Sequence, residues 1–172
     1  MKNIPIKISL IICGICLLIS CSKTPSYESS DAMIADLKTD LKAISVDDLK
    51  LKLDDLDAYI FLIDVREPNE HNFGYIPGSI NIPAGLVIFN TGNDAFWESE
   101  MMYKPELTDE IIVYCKKGKR SVLAANLLKQ IGYQNITYVE GGWKAWELKF
   151  PLLYDKNLDA NAHPEVSDEG GC

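Results

Sequence analysis

Cys115 stands at the end of an apolar run, Ile111-Ile112-Val113-Tyr114, and is followed by Lys116, Lys117, Gly118, Lys119, Arg120 and Ser121. Four cations thus fall in the five residues after a thiol, in a chain whose formal net charge is −8. Cations and the free N–H groups of a helix start both hold an anion, and both favour a thiolate over a thiol. Gly118 lets the backbone curl so that successive N–H groups point inward as a nest. The spacing predicts Cys115 as a nucleophile beside a small anion held by Lys116, Lys117, Gly118, Lys119, Arg120 and Ser121. The competing reading is a structural cysteine next to a solvated basic loop. A cysteine inside a strand suits that reading; one at a strand-to-helix turn, with this charge around it, suits reactivity.

Such a turn needs a strand before it and a helix after it. Ile111–Tyr114 has the continuous apolar character of a strand buried on both faces, and Ser121–Ile131 reads as a helix with Val122, Ala125, Leu128 and Ile131 inward and Gly132 as its stop. Similar buried-strand signals lie at Tyr59–Val65, ending in Asp64 and Arg66, and at Ile136–Val139. Ser79–Ile82, between Pro77-Gly78 and Pro83, is a short extended piece. Ser45 can cap a helix through Leu53, and Gly141-Gly142 opens a last one through Leu148. Strands separated by helical segments predict an α/β fold: an open, mostly parallel sheet with helices on both faces, whose ligands sit beyond the carboxyl ends of the strands. No internal repeat is present.

The ends differ from this core. Lys2 and Lys7 precede an almost wholly apolar Ile8–Ser20, too short to span a bilayer of ~30 Å, so residues 1–20 read as a signal peptide. Leu18-Ile19-Ser20-Cys21 resembles the lipobox of bacterial lipoproteins, which makes Cys21 the expected lipidation site and an exported, membrane-anchored, periplasm-facing location the expectation. Residues 21–43 then form a tether, rich in Ser, Thr and Pro, and a short amphipathic lead-in helix over Ala32–Leu41. Residues 44–152 make the folded domain, and 153–172 an acidic tail. Without Met1–Ser20, which carries two of the lysines and no acid, the charge is −10. This balance argues against a nucleic-acid surface, which needs basic residues spread over one face.

Of the five cysteines, Cys13 and Cys16 leave with the signal and Cys21 takes the lipid, so Cys115 and Cys172 remain as thiols and no disulfide framework is expected. Cys172, after Gly170-Gly171, reads as an incidental terminal thiol; accepting sulfur from Cys115 or pairing with it is the sharper alternative. His163 lacks spaced partners, so neither a metal nor a cofactor is expected.

Two separated motifs then resemble the rhodanese family over Ile44–Trp146. The first is Asp64-Val65-Arg66-Glu67-Pro68 through Gly74-Tyr75-Ile76-Pro77-Gly78-Ser79-Ile80-Asn81-Ile82-Pro83; the second is the Cys115 loop followed by Glu140-Gly141-Gly142-Trp143. The resemblance implies a sulfurtransferase, with a persulfide on Cys115 taking sulfane sulfur from an anionic donor such as thiosulfate and passing it to a thiol or cyanide. It makes Asp64 and Arg66 a structural charge pair bracing the loop. Tyr75 and His71 depart from the family's pattern, and both are read as structural changes, as Glu70 is read as a surface or packing residue. Ala84–Glu110 is a long connection whose Phe89, Phe96 and Trp97 either extend the core or cover the site; the core reading is preferred, because aromatic side chains chiefly supply buried area.

Two alternatives stay beside this one. Phosphatases of the same fold use Cys-x5-Arg, but Ser121 holds that position and Arg120 lies one residue early, in a tighter loop that suits a smaller anion. A tethered, non-catalytic binding module of the same fold is the other, since fold alone does not fix function.

Overall fold

The structure, a computed structural model, describes residues 26–157. Met1–Ser20, Cys21, His163 and Cys172 lie outside the described residues, as do the other cysteines except Cys115. No helix among the described residues is long and apolar enough to cross a membrane.

Five strands form one sheet in the order β1-β5-β4-β2-β3: β1 is Lys42–Ile44, β2 Ile60–Asp64, β3 Ile80–Asn81, β4 Glu110–Tyr114 and β5 Asn135–Val139. All four pairings are parallel. The expected α/β architecture is therefore present, with every pairing in the sheet parallel. Strand alternation divides the core. Ile111, Val113 and Cys115 face one side with Phe61, Ile63, Val65 and Trp97, under α6 (Lys119–Gln130). Ile112 and Tyr114 face the other with Leu62, Leu49 and Trp146, under α2 (Val46–Asp54) and α7 (Gly142–Lys149). Because β4 is central and covered on both faces, its side chains are apolar at successive positions.

Ser45 caps α2, its hydroxyl accepting from the Asp48 N–H at 3.1 Å. The lead-in helix α1 is Ser30–Lys38, capped by Ser29. Its Ile34 packs on Val122 and Tyr138, which fixes it against α6. Several features depart from the sequence reading, the lead-in helix lying at Ser30–Lys38 where Ala32–Leu41 was expected. α6 begins at Lys119, two residues early, because Gly118 in the left-handed region (φ +97) serves as its N-cap. At its far end Ile131 is 45% exposed, since the C-cap turn ending in Gly132 (φ +109) carries it off the inward stripe. The expected tail is anchored at its start: Tyr75 and Asp155 exchange backbone hydrogen bonds of 3.0 Å, and the Asn157 N–H donates to the Asn72 carbonyl at 3.0 Å. Residues 158–172 lie outside the described residues.

The long connection after β3 (residues 84–110) contains two short helices, α4 (Val87–Asn90) and α5 (Asp94–Ser99). Trp97 is fully buried edge-on to Phe61 at 5.3 Å, and its indole N–H donates to the Thr91 carbonyl. Phe96 is partly buried beside it, and Phe89 is exposed. The first two aromatics extend the core, and none of the three lines the depression over Cys115.

Candidate active site

Cys115 follows β4 on the side that faces α6, and its side chain is 1% exposed. The Gly118 N–H donates to Sγ at 3.2 Å, so the loop folds back over its own cysteine. Ser121 closes that curl by donating its hydroxyl to the Gly118 carbonyl at 2.9 Å. Ser121 is fully buried and its hydroxyl is used in this bond, so it braces the loop. Above the thiol lies an open depression of about 410 Å³, lined by Cys115, Lys116, Lys117, Lys119 and Arg120.

The loop rests on the start of α7. The Trp143 N–H donates to the Cys115 carbonyl at 2.8 Å, and the Lys144 N–H to the Lys116 carbonyl at 3.0 Å. This explains Gly142 chemically: it sits at φ +57, and a Cβ there would stand 2.1 Å from the Cys115 carbonyl oxygen. Only a glycine lets the two backbones approach so closely. Helix-start donors that would otherwise lack partners within the helix are satisfied by loop carbonyls.

The four cations are not equivalent. Lys119 pairs with Asp31 of α1. Arg120 makes a two-pronged bond to Glu70, Nη1 to Oε2 at 2.6 Å and Nη2 to Oε1 at 2.9 Å. Those hydrogen bonds hold the Glu70 carboxyl below the usual carboxylate range, and the same bonds raise Arg120. Lys116 and Lys117 are exposed, and among the described residues neither side chain has a partner. Two of the four charges are therefore neutralised in place, and the other two have no partner among the described residues.

Beneath the loop lies the first motif. Arg66 is 2% exposed and bonds to Asp64 through Nε at 2.9 Å and Nη2 at 2.6 Å. Its remaining donors reach the Glu70 carbonyl at 3.0 Å and the Gly74 carbonyl at 2.8 Å. The guanidinium also lies over the Trp143 ring at 4.9 Å, which joins the first motif to α7. Burial alone would raise the Asp64 carboxyl; hydrogen bonds from His71 and Arg66, with the Arg66 charge, outweigh it and hold Asp64 low. Tyr114 accepts the Ile76 N–H at 3.1 Å and meets the Ser79 hydroxyl at 2.8 Å, so the Gly-Tyr-Ile-Pro-Gly-Ser turn is pinned to the strand that delivers Cys115.

Sequence reasoning placed Glu70 and His71 at the surface or in packing. Both sit in α3 (Pro68–Asn72), and both are polar partners of the site. His71 Nδ1 lies 2.9 Å from Asp64 Oδ2, and its ring stacks on Tyr75 at 4.0 Å and 11°. The two departures from the family pattern thus stack on one another. This short helix was missed, and the signal that could have found it is a capping box, Glu67 with Glu70, around Pro68. Asp31 and Glu70 as partners of loop cations had no signal, because they lie 88 and 50 residues away in the chain.

Comparison with known proteins agrees with this geometry. Residues 45–149 match the model of the rhodanese-like domain. The chain is 37% identical over 95 residues to a putative mitochondrial thiosulfate sulfurtransferase of Schizosaccharomyces pombe, covering 54% of this chain and 67% of that one. It is 30% identical over 115 residues to the thiosulfate:glutathione sulfurtransferase of Saccharomyces cerevisiae, covering 63% and 79%. Among solved structures, a human single-domain sulfurtransferase superposes with a TM-score of 0.57 at 30% identity, covering 62% of this chain and 96% of that one. With the family model spanning more than half of the sequence, the chain belongs to the rhodanese-like domain family.

Proposed function

We propose that this protein is a sulfurtransferase that carries a sulfane sulfur on Cys115. The supporting observation is the Cys115 Sγ at the floor of a cationic depression, taking the Gly118 N–H at 3.2 Å. The Cys115 thiolate attacks the outer sulfur of thiosulfate. An S–S bond forms, the donor's S–S bond breaks, and sulfite leaves with the electron pair. A thiol or cyanide then attacks the outer sulfur of the persulfide, and the electron pair of that S–S bond returns to Cys115 as a thiolate. A thiolate nucleophile needs no base beside it to remove a proton at the moment of attack. Lys116 and Lys117 supply the charge that holds the dianionic donor, and the N–H groups of the loop hold the persulfide, which is itself an anion.

Intact-mass measurement after thiosulfate treatment, followed by cyanide, tests this reading. The expected result is one added sulfur atom, lost as thiocyanate, in the native chain and none in Cys115→Ser. A folded native chain that takes no sulfur from thiosulfate or a persulfide would leave the tethered binding module as the function. We also propose that the mature chain is lipid-anchored through Cys21. Support comes from the sequence Leu18-Ile19-Ser20-Cys21 after an apolar segment with a basic start. Mass analysis of the N-terminal peptide from cells making the native chain or Cys21→Ser tests it, and an unmodified native N-terminus would overturn it.

A further inference from the structure

Lys116 and Lys117 line two spaces, the depression over Cys115 and a separate groove of about 550 Å³. The other charges of that groove are matched. Arg66 pairs with Asp64, Glu70 with Arg120, and Lys144 with Glu147 at 3.1 Å. Lys116 and Lys117 have no partner among the described residues, so the groove carries an unmatched positive edge. Phe73, 65% exposed, lines the same space and leaves it partly apolar.

The chain passes out of the fold beside this groove. Tyr75 and Asp155 pair antiparallel, which sends residues 155–157 back along residues 72–75, and the Asn157 N–H donates to the Asn72 carbonyl at 3.0 Å. Asn72 is the last residue of α3, and the next residue is Phe73. Residues 158–172 are therefore tethered next to a side chain of the groove. They contain Asp159, Glu165, Asp168 and Glu169, and no lysine or arginine. A random coil of this length reaches about 20 Å, more than a space of about 550 Å³ is wide. The charge of the segment is opposite to that of the groove's edge, and both lie on one side of the molecule.

We propose that residues 158–172 dock in this groove and set their carboxylates against Lys116 and Lys117, in competition with the anionic sulfur donor. The inference rests on the sulfurtransferase reading and adds to it a regulation by the chain's own acidic segment. The depression over Cys115 stays open; what the segment takes is the charge that the donor needs. Each such contact is an exposed ion pair and weak alone, and tethering raises its occupancy by keeping the carboxylates at high effective concentration. Salt screens these contacts and the donor's alike. In the native chain, therefore, salt weakens the competitor together with the donor, and the net dependence on salt is shallower than it is without the acids.

The test uses the full chain in detergent with Cys172→Ser, so that the terminal thiol takes no part. A water-soluble carbodiimide joins carboxylates to amines in contact, and peptide mass spectrometry maps the bonds. The expected bonds run from Asp159, Glu165, Asp168 or Glu169 to Lys116 or Lys117, and they are lost in high salt. No bond to Lys116 or Lys117, or bonds spread evenly over other exposed lysines such as Lys149, overturns the inference. Bonds between heavy and light chains in an isotopically mixed sample also overturn it, in favour of a second copy as the occupant. Asp159→Asn, Glu165→Gln, Asp168→Asn and Glu169→Gln, made together, lie outside the described residues and leave Cys115 and its lysines in place. This variant is expected to load sulfur at a half-saturating thiosulfate concentration about two- to five-fold below that of the chain with its acids, the range that exposed ion pairs made intramolecular support. Its loading is also expected to weaken more steeply with salt. An unchanged concentration overturns the competition even where the bonds form. If neither chain loads, the sulfurtransferase reading falls and the mapped bonds alone decide the docking.

Discussion

Arg66 is anchored to Asp64, Glu70 and Gly74 at once, and its ion pair with Asp64 is sealed from water. Removing one partner of a buried pair leaves the other uncompensated and costs about 3–5 kcal/mol. Asp64→Asn is therefore expected to lower unfolding free energy by that amount in urea titration. The sign of the pH effect follows from the Asp64 carboxyl being held below its ordinary value of 3.8. The pair's contribution is fully present above pH ~4 and is lost as pH falls through the folded value, so native and variant stabilities should converge in acid. Glu70 holds Arg120 at the rim of the depression over Cys115. Glu70→Gln is expected to free that guanidinium for the anion and lower the KM for thiosulfate by about two- to five-fold, the range a half-exposed ion pair supports. An unchanged or higher KM would show that Glu70 positions the loop and does not compete with the donor.

The elements meet at one close contact, where the start of α7 receives the carbonyls of the Cys115 loop. Gly142→Ala places a methyl carbon against the Cys115 carbonyl and is expected to abolish sulfur loading while circular dichroism still shows the α/β fold. Loading at the native rate would show that the loop tolerates separation from α7. The helices and strands around this contact were legible wherever several turns or a full buried strand carried the pattern. α2 with its Ser45 cap, β2, β4 and β5 fall within a residue of expectation. β1 was not, because three residues of which only Ile44 is buried carry no period. α4 and α5 are equally short, and their burial comes from Val87 and Trp97 meeting the sheet, a tertiary fact. The thiol, its basic loop and the Asp64–Arg66 pair could be read from adjacent residues. The division of the four cations into two paired and two unpaired could not, since it depends on which distant acids fold back.

The molecule as a whole is acidic, with a net charge of −8, and yet lines the depression over Cys115 with Lys116 and Lys117, which have no partner among the described residues. An anionic donor must approach through an unfavourable average field to a favourable local one. Salt screens the interaction beyond about 8–10 Å at physiological strength, and the local attraction at Lys116 and Lys117 weakens with it. The expected outcome is a kcat/KM for thiosulfate that falls about three-fold or more between low and high salt. A flat profile would mean that these lysines do not hold the donor. The 1% exposure of Cys115 has a further effect on traffic through the site. Under the proposed reaction, an empty thiol at that depth is expected to lie beyond the reach of large disulfides. Loading extends the side chain by an S–S bond of about 2 Å toward the opening. Under the proposed reaction the cargo is its own handle: bulky acceptors are expected to meet a reactive sulfur only when there is sulfur to deliver, without any moving lid.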